Sequence, residues 1–273
     1  MAYVDHLRAL TWSIADFRPL RLAGATVGYL HHDHARLLAG HPELRADGDG
    51  FAVRAEGLER LGLALHQAGV IGAPRGEPYA VASRFAGPEL ARVDRSAAVA
   101  LGVLSTGVHV NGVVWRPDGP HLWIARRSAT KATYPGKLDN IVAGAVAAGH
   151  DALSTLVKEC GEEAGIAPDL AATARPAGAV TYAAAVERGL RRDLLYVFDL
   201  SLPEGVQPRP VDGEVESFTL MPAAEVARIV ETSDRFKFNV NLVILDFLVR
   251  HGLIRPSHPD YPEIVAGLRA PVP

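Results

Sequence analysis

One cysteine, Cys160, stands in 273 residues. The chain can therefore close no intramolecular disulfide, and one thiol cannot build a Cys-based zinc site. A basic surplus is missing as well. Twenty-eight Lys and Arg against 31 Asp and Glu leave a net charge of −3, which gives no support to nucleic acid as a partner. Long apolar runs are absent. The nearest approach, 97–114, is interrupted by Ser105, Thr106, His109 and Asn111, so no transmembrane helix is expected and no membrane partner. The start of the chain carries Asp5, His6, Arg8 and Asp16 without an apolar stretch, and no secretory leader is expected. Repeats and low-complexity tracts are lacking too. What is present is ordinary globular material, 48% apolar and 22% charged. The expectation is a cytoplasmic protein, with the oligomeric state left open.

Residues 1–95 read as a small α+β extension and 96–273 as a larger domain. In the first part, Ala25–Leu30 has strand character. Leu58, Leu61, Leu65 and Ala68 recur at helical spacing before Gly69. A turn-rich segment, 71–78, separates this helix from the strand Tyr79–Ala82, and a helix is expected over 89–101. In the second part, Val108–Trp115 alternates as a strand, 117–120 is a hairpin turn, and Leu122–Ala125 returns. A short strand at 141–146 leads into a helix over 152–164, capped by Asp151 and ended by Gly165. Strands near 177–186, 194–200 and 214–220 follow. Helices over 223–231 and 239–250 precede a Pro-rich tail. Strands and helices in this order predict a mixed sheet covered on both sides.

The chemistry concentrates in 144–166. Glu159, Glu162 and Glu163 fall at i, i+3 and i+4, so a helix places them on one face within about one turn. Like charges so spaced repel, and a hard divalent cation would turn that repulsion into ligation. Taken alone, the triplet also reads as a solvated acidic face. Its setting, between a Gly-containing strand and a closing Gly165-Ile166, distinguishes it.

This segment resembles the Nudix hydrolase pattern G-x5-E-x7-R-E-U-x-E-E-x-G-U, where U is an aliphatic or similar residue. Gly144, Glu159, Glu162, Glu163, Gly165 and Ile166 fall in register, with Cys160 at the first U. Two positions depart. His150 replaces the first Glu and Lys158 replaces the Arg with which that Glu commonly pairs, which reads either as a coupled, conservative exchange or as the loss of a supporting contact. Further stretches are similar to the thiamine-pyrophosphokinase-associated Nudix proteins, which carry an N-terminal extension. They are Gly107-Val-His-Val-Asn-Gly112, the run from Ala125-Arg-Arg-Ser128 through Pro135-Gly-Lys-Leu-Asp-Asn140, Asp212-Gly-Glu-Val-Glu-Ser-Phe218 and the segment 236–252.

The resemblance implies an α+β protein, a Nudix α/β/α sandwich with a mixed sheet after a small α+β domain. It implies a Mg²⁺-dependent pyrophosphohydrolase, with Mn²⁺ as the substitute metal. The substrate would be a small diphosphate, thiamine diphosphate or its damaged, oxidised analogues, cut to the monophosphate and phosphate. Two alternatives are a nucleoside-diphosphate derivative as substrate, and a diphosphate-binding module weakened by His150 and Lys158. Glu159, Glu162, Glu163 and the Gly144 carbonyl would hold the metal. Glu214 is the expected base, with Glu216 in reserve on the same face. Arg127 and Lys131 are expected on phosphate. Arg126 and Arg127 point to opposite faces, so only one of them should reach the site. Tyr134 either stacks on a substrate ring or packs its own loop. His109 reads as a core histidine before a catalytic one, His31-His32-x-His34 as a solvated cluster before a metal site, and Cys160 as an inward-packed helix residue.

Overall fold

The computed structural model describes residues 1–273. Near the start, β1 (Phe17–Leu22), β2 (Ala25–His31), β3 (Arg45–Asp47) and β4 (Gly50–Val53) form a four-stranded sheet in the order β2-β1-β4-β3. The helix Ala55–Gln67 inserts Leu58, Leu61 and Leu65 into one core with Leu20, Val27, Leu30, Val93 and Leu101. That three- and four-residue spacing is the stripe the sequence displays.

A two-stranded ribbon follows, β5 (Pro78–Val81) against β6 (Ala91–Asp94), antiparallel. Here the expected helix over 89–101 gives way to a strand and the four-residue helix Arg95–Ala98. The reason lies in Asp94. Its carboxylate accepts the N–H groups of Ser96, Arg75 and Gly76, which makes it the cap at which a helix can only begin. The residues before it take the ladder that β5 offers.

The large sheet contains β7 (Leu104–Arg116), β8 (Gly119–Arg127), β9 (Leu138–Asp139), β10 (Val142–Ala145), β11 (Arg175–Val186), β12 (Gly189–Ser201) and β13 (Val215–Pro222). The order is β11-β12-β7-β8-β13, with β10 added to β7 and β9 to β8. β7 and β12 run parallel from Leu104↔Arg192 to Val113↔Ser201, and the other pairs are antiparallel. Alternation along the strands feeds two apolar layers. Val108, Val110 and Val114 with Phe198 and Leu200 meet Leu156, Cys160 and Ala164 of the helix Ala152–Ala164. Val113, Leu195 and Val197 on the other face meet the helices Ala223–Thr232 and Phe238–Arg250. The mixed sheet is thus covered on both sides. The Pro-rich tail holds a further short helix, Tyr261–Gly267, and Tyr3 returns from the chain start to the same core as its Ile264. No helix is long and apolar enough to cross a membrane.

Candidate active site

The helix Ala152–Ala164 is fixed at both ends by local chemistry. The Asp151 carboxylate accepts the Ser154 N–H at 2.7 Å while the Ser154 hydroxyl takes the Asp151 N–H at 3.2 Å, a reciprocal cap. Gly165, at φ 62°, ends the helix in the left-handed region. Between these ends the acids are not equivalent. Glu159 lies against β10, where a Cβ on Gly144 would sit 2.5 Å from its Cγ, so only glycine leaves room for this carboxylate. Glu163 is buried and accepts the Ala143 N–H at 3.1 Å. Glu162 is turned outward to Lys158 at 2.5 Å, and Lys158 also reaches Glu159 at 3.4 Å. As they stand, no three acidic, His or Cys side chains close on one point. His150 is exposed, and no hydrogen bond joins it to Lys158. Lys158 is engaged instead by acids on its own helix, so the supporting contact between these two motif positions is missing here.

Burial pushes the Glu163 carboxyl up to about 8, helped by the charges of Asp139, Glu159 and Glu214. Burial also raises Glu159. A set of hard carboxylate oxygens, crowded and short of water, seated on a glycine that a Cβ would close, fits a divalent cation of the Mg²⁺ or Mn²⁺ type.

Glu214 stands just before β13 and shares a small cavity with Glu163, Arg127 and Asp139. Its carboxylate is ion-paired with Lys131. Partial burial would raise it, but Lys131, Arg127 and Arg95 outweigh that and hold it below the usual range. Glu216 is exposed like Glu214, with the buried Val215 between them. The β13–β8 register shifts at this point, between Val215 and Ser217.

Arg127 is enclosed. Its Nη1 donates to Asp139 at 2.9 Å, its Nε to the Tyr134 carbonyl at 3.1 Å and its Nη2 to the Thr133 carbonyl at 2.8 Å. Three sides of the guanidinium fork are spent on bracing the 128–137 loop. Arg126 is exposed and reaches only the Gly136 carbonyl, at 3.5 Å. Tyr134 adopts φ 52° and tilts its ring against Phe238 at 5.7 Å. Cys160 is packed inward, and burial pushes its thiol up to about 12. The three N-terminal histidines stay close, His31 lying 5.9 Å from His34 and 6.4 Å from His32 between ring centres, but each is engaged separately. The His31 ring accepts the Asp33 N–H, His32 reaches the Ala15 carbonyl, and His34 is buried on the Ala100 carbonyl.

Beside the acids lies a cleft of about 330 Å³, bounded by both parts of the chain. Ala143, Gly144, His109, Thr106, Lys237 and Asn239 line it from the large sheet and its helices, Tyr79 and Arg95 from the N-terminal region. Five cations face it, Arg75, Arg95, Arg188, Arg191 and Lys237, with Asp193 the lining acid. The Lys237 ammonium makes no hydrogen bond within the protein, its nearest acid being Asp139 at 3.9 Å. Burial lowers its pKa against the pull of Asp139. His109 is held by Asn140 at 2.8 Å, and burial with the nearby Lys237 pushes it down to about 4, so it is neutral at pH 7. Asn140 continues to Asn111, Asn111 to Asp199 and Asp199 to Arg250, a polar chain running beneath the helix Phe238–Arg250.

The family profile described as NUDIX domain matches residues 105–240, and one described as a domain of unknown function, DUF4743, matches 2–105. Nudix hydrolase 24, chloroplastic, of Arabidopsis thaliana is 38% identical over 278 residues, covering 97% of this chain and 76% of that protein. This chain is a Nudix hydrolase. Nudix hydrolase 20, chloroplastic, of the same plant is 37% identical over 94% of the chain and 74% of that relative. Among solved structures, the NUDIX domain of Shewanella oneidensis NrtR complexed with ADP ribose aligns at TM-score 0.43 and 12% identity, over 55% of this chain and 90% of that one.

Family membership makes the chain a hydrolase of diphosphate bonds. Its sheet and flanking helices are the Nudix α/β/α sandwich, preceded by a small α+β region. The expectation of a cytoplasmic protein is corrected, since both plant relatives are chloroplastic by name. Sequence reasoning missed the cleft residues Tyr79, Arg95, Arg191, Lys237 and Asn239. Arg191 and Lys237 sit in short polar groups within apolar segments, a weak signal. Tyr79 and Arg95 become visible only when the N-terminal part folds onto the sheet.

Proposed function

We propose that this Nudix hydrolase cleaves a small organic diphosphate to the monophosphate and inorganic phosphate, with Mg²⁺, or Mn²⁺ in its place. The observation that carries this reading is the double position of Gly144, at once a wall of the cationic cleft and the seat of Glu159. A diphosphate drawn in by the cations would reach the acidic helix there. Glu159, Glu162, Glu163 and the Gly144 carbonyl would hold the metal, which when bound supplies charge neutralisation on the phosphate oxygens and an acidified water. Glu162 joins by leaving Lys158. Glu214, kept ionised by Lys131, would take the proton of the attacking water. Lys131 thereby orients the base, and Arg127 shapes the loop. Phosphate oxygens would be met by Lys237, Arg191 and Arg95. The N-terminal region, taken as 1–95, completes the site with Tyr79 and Arg95, the remainder being 96–273.

The motifs at 107–112, 125–140 and 212–218 support the thiamine-pyrophosphokinase-associated group, and with it thiamine diphosphate or its oxidised analogues. Charge favours the oxidised ones. The native thiazolium carries a positive charge into a cationic cleft, whereas a ring oxidised to the neutral form does not. The same cleft charge suits a nucleoside-diphosphate derivative, whose base is neutral, and this is the second reading. Hydrolysis with Mg²⁺ separates them, read as inorganic phosphate from thiamine diphosphate and its ring-oxidised analogue and as AMP plus ribose 5-phosphate from ADP-ribose. The oxidised analogue is expected to give the highest kcat/KM, and faster cleavage of ADP-ribose than of both thiamine compounds would overturn the choice.

A further inference from the structure

Four side-chain polar atoms are both sealed from water and unpartnered: Trp123 Nε1, Arg192 Nε, Asn239 Oδ1 and Asn241 Oδ1. The Tyr79 hydroxyl differs from them. It makes no hydrogen bond within the protein, yet it is not sealed, although Tyr79 as a whole is only 8% exposed. The little surface this residue keeps therefore includes its hydroxyl, and Tyr79 lines the cationic cleft. The ring is anchored elsewhere. It packs with Val81, Val93 and Leu101 in the core of the N-terminal region, on the ribbon β5–β6 opposite Val93. One part of the chain thus holds the ring, and the hydroxyl is offered to a cleft whose other wall belongs to the large sheet.

Arg95, Asp193, Glu77 and Arg191 are the charged groups that act on this hydroxyl. Neither acid accepts its proton. Asp193 takes the Tyr182 hydroxyl and Arg191, and Glu77 takes Arg95 at 2.6 Å. Burial pushes Tyr79 up to about 12, so the hydroxyl stays protonated at pH 7 and remains a donor. A donor without an acceptor, set near two guanidinium groups, suits an anionic oxygen that both arginines also attract.

Resting on the reading of the cleft as the diphosphate site, we propose that the N-terminal region takes part in substrate recognition through Tyr79, whose hydroxyl donates a hydrogen bond to a phosphate oxygen seated on Arg95 and Arg191. The arginines supply charge, and the hydroxyl adds a directional contact that a rigid, core-packed ring holds in place. The ribbon β5–β6 then does more than wall the cleft: it carries a ligand of the substrate.

The test is calorimetric binding of inorganic pyrophosphate to the metal-free protein in EDTA, for wild type, Tyr79→Phe and Lys237→Met. Tyr79→Phe keeps the ring in its core and removes one oxygen. The fitted stoichiometry counts folded protein alone, so an unfolded fraction does not enter the Kd. Wild type is expected to bind, and Tyr79→Phe to bind about tenfold more weakly, as for one hydrogen bond to a charged acceptor. Lys237→Met, which removes a cation from the large-sheet side of the same cleft, gauges the cleft itself. A Kd unchanged in Tyr79→Phe but raised in Lys237→Met overturns the role of Tyr79 and leaves the cleft as the diphosphate site. A Kd unchanged in both variants, or no binding by wild type, overturns the reading of the cleft and the proposal with it.

Discussion

Arg127 turns its whole fork inward, and that decides what its loss would do. Asp139 is buried, and desolvation would raise its pKa were it not for Lys237, His109 and Arg127, which together hold it low. With Arg127→Ala, Asp139 keeps only Lys237, at 3.9 Å, as a full counter-charge. A buried carboxylate deprived of its partner costs about 3 kcal/mol or more, and urea unfolding should show a loss of that order. Arg127→Lys should recover little of it, because an ammonium cannot reach Asp139 and the Thr133 and Tyr134 carbonyls at once. His109 makes a second residue-scale case. Its folded pKa of about 4 lies below the ordinary value of 6.5, so the unfolded chain takes up the proton first as pH falls. The stability associated with neutral His109 is complete above pH 6.5 and is lost between there and pH 4. The wild type should lose about 2 kcal/mol from this group between pH 7 and 5, and His109→Gln should flatten that part of the curve. At this scale the sequence was a partial guide. The three helix acids were legible because their spacing alone puts them on one face. The internal engagement of Arg127 was not legible, because its three acceptors come from a loop and a strand that spacing does not reveal.

Elements were legible where local chemistry and packing agree. The helix Ala152–Ala164 was readable end to end, since Asp151 and Gly165 are caps that act within a few residues. The segment 89–101 was not, because its apolar spacing permits a helix while a partner strand and the Asp94 cap require a ribbon. The short strands β1, β3 and β4 escaped for the same reason, their pairing being with distant residues. One prediction belongs to the contact between two elements, the helix and β10. Gly144→Ala would place a methyl within 2.5 Å of the Glu159 side chain, which is flexible and can move aside. The fold should survive, with unchanged circular dichroism. If Glu159 holds the metal as proposed, its displacement by about an ångström should lower kcat about tenfold to a hundredfold. Unaltered kcat in a folded Gly144→Ala would separate Glu159 from the chemistry.

The whole molecule supplies what neither residue nor element contains. The net charge of −3 hides a division, with acids on one helix turn and five cations across the cleft beside it. Arg95 comes from the N-terminal region and Lys237 from the other end of the chain. Their meeting depends on the N-terminal part reaching the large sheet, where the Ala148 N–H donates to the Pro78 carbonyl and Tyr79 shares the cleft with Thr106 and Gly144, a packing for which no single-sequence pattern exists. Arg95→Ala should therefore raise KM for a diphosphate several-fold with little change in kcat, as expected of a group that binds the substrate and not the transition state alone. The acidic helix is proposed as the site of diphosphate cleavage. The most direct measurement is hydrolysis in millimolar Mg²⁺, read as inorganic phosphate from ring-oxidised thiamine diphosphate and as AMP plus ribose 5-phosphate from ADP-ribose, comparing wild type with the double variant Glu162→Gln, Glu163→Gln. Wild type should hydrolyse at least one of the two, and the folded double variant should be slower by about 10³-fold or more. A folded double variant as fast as wild type would contradict the assignment.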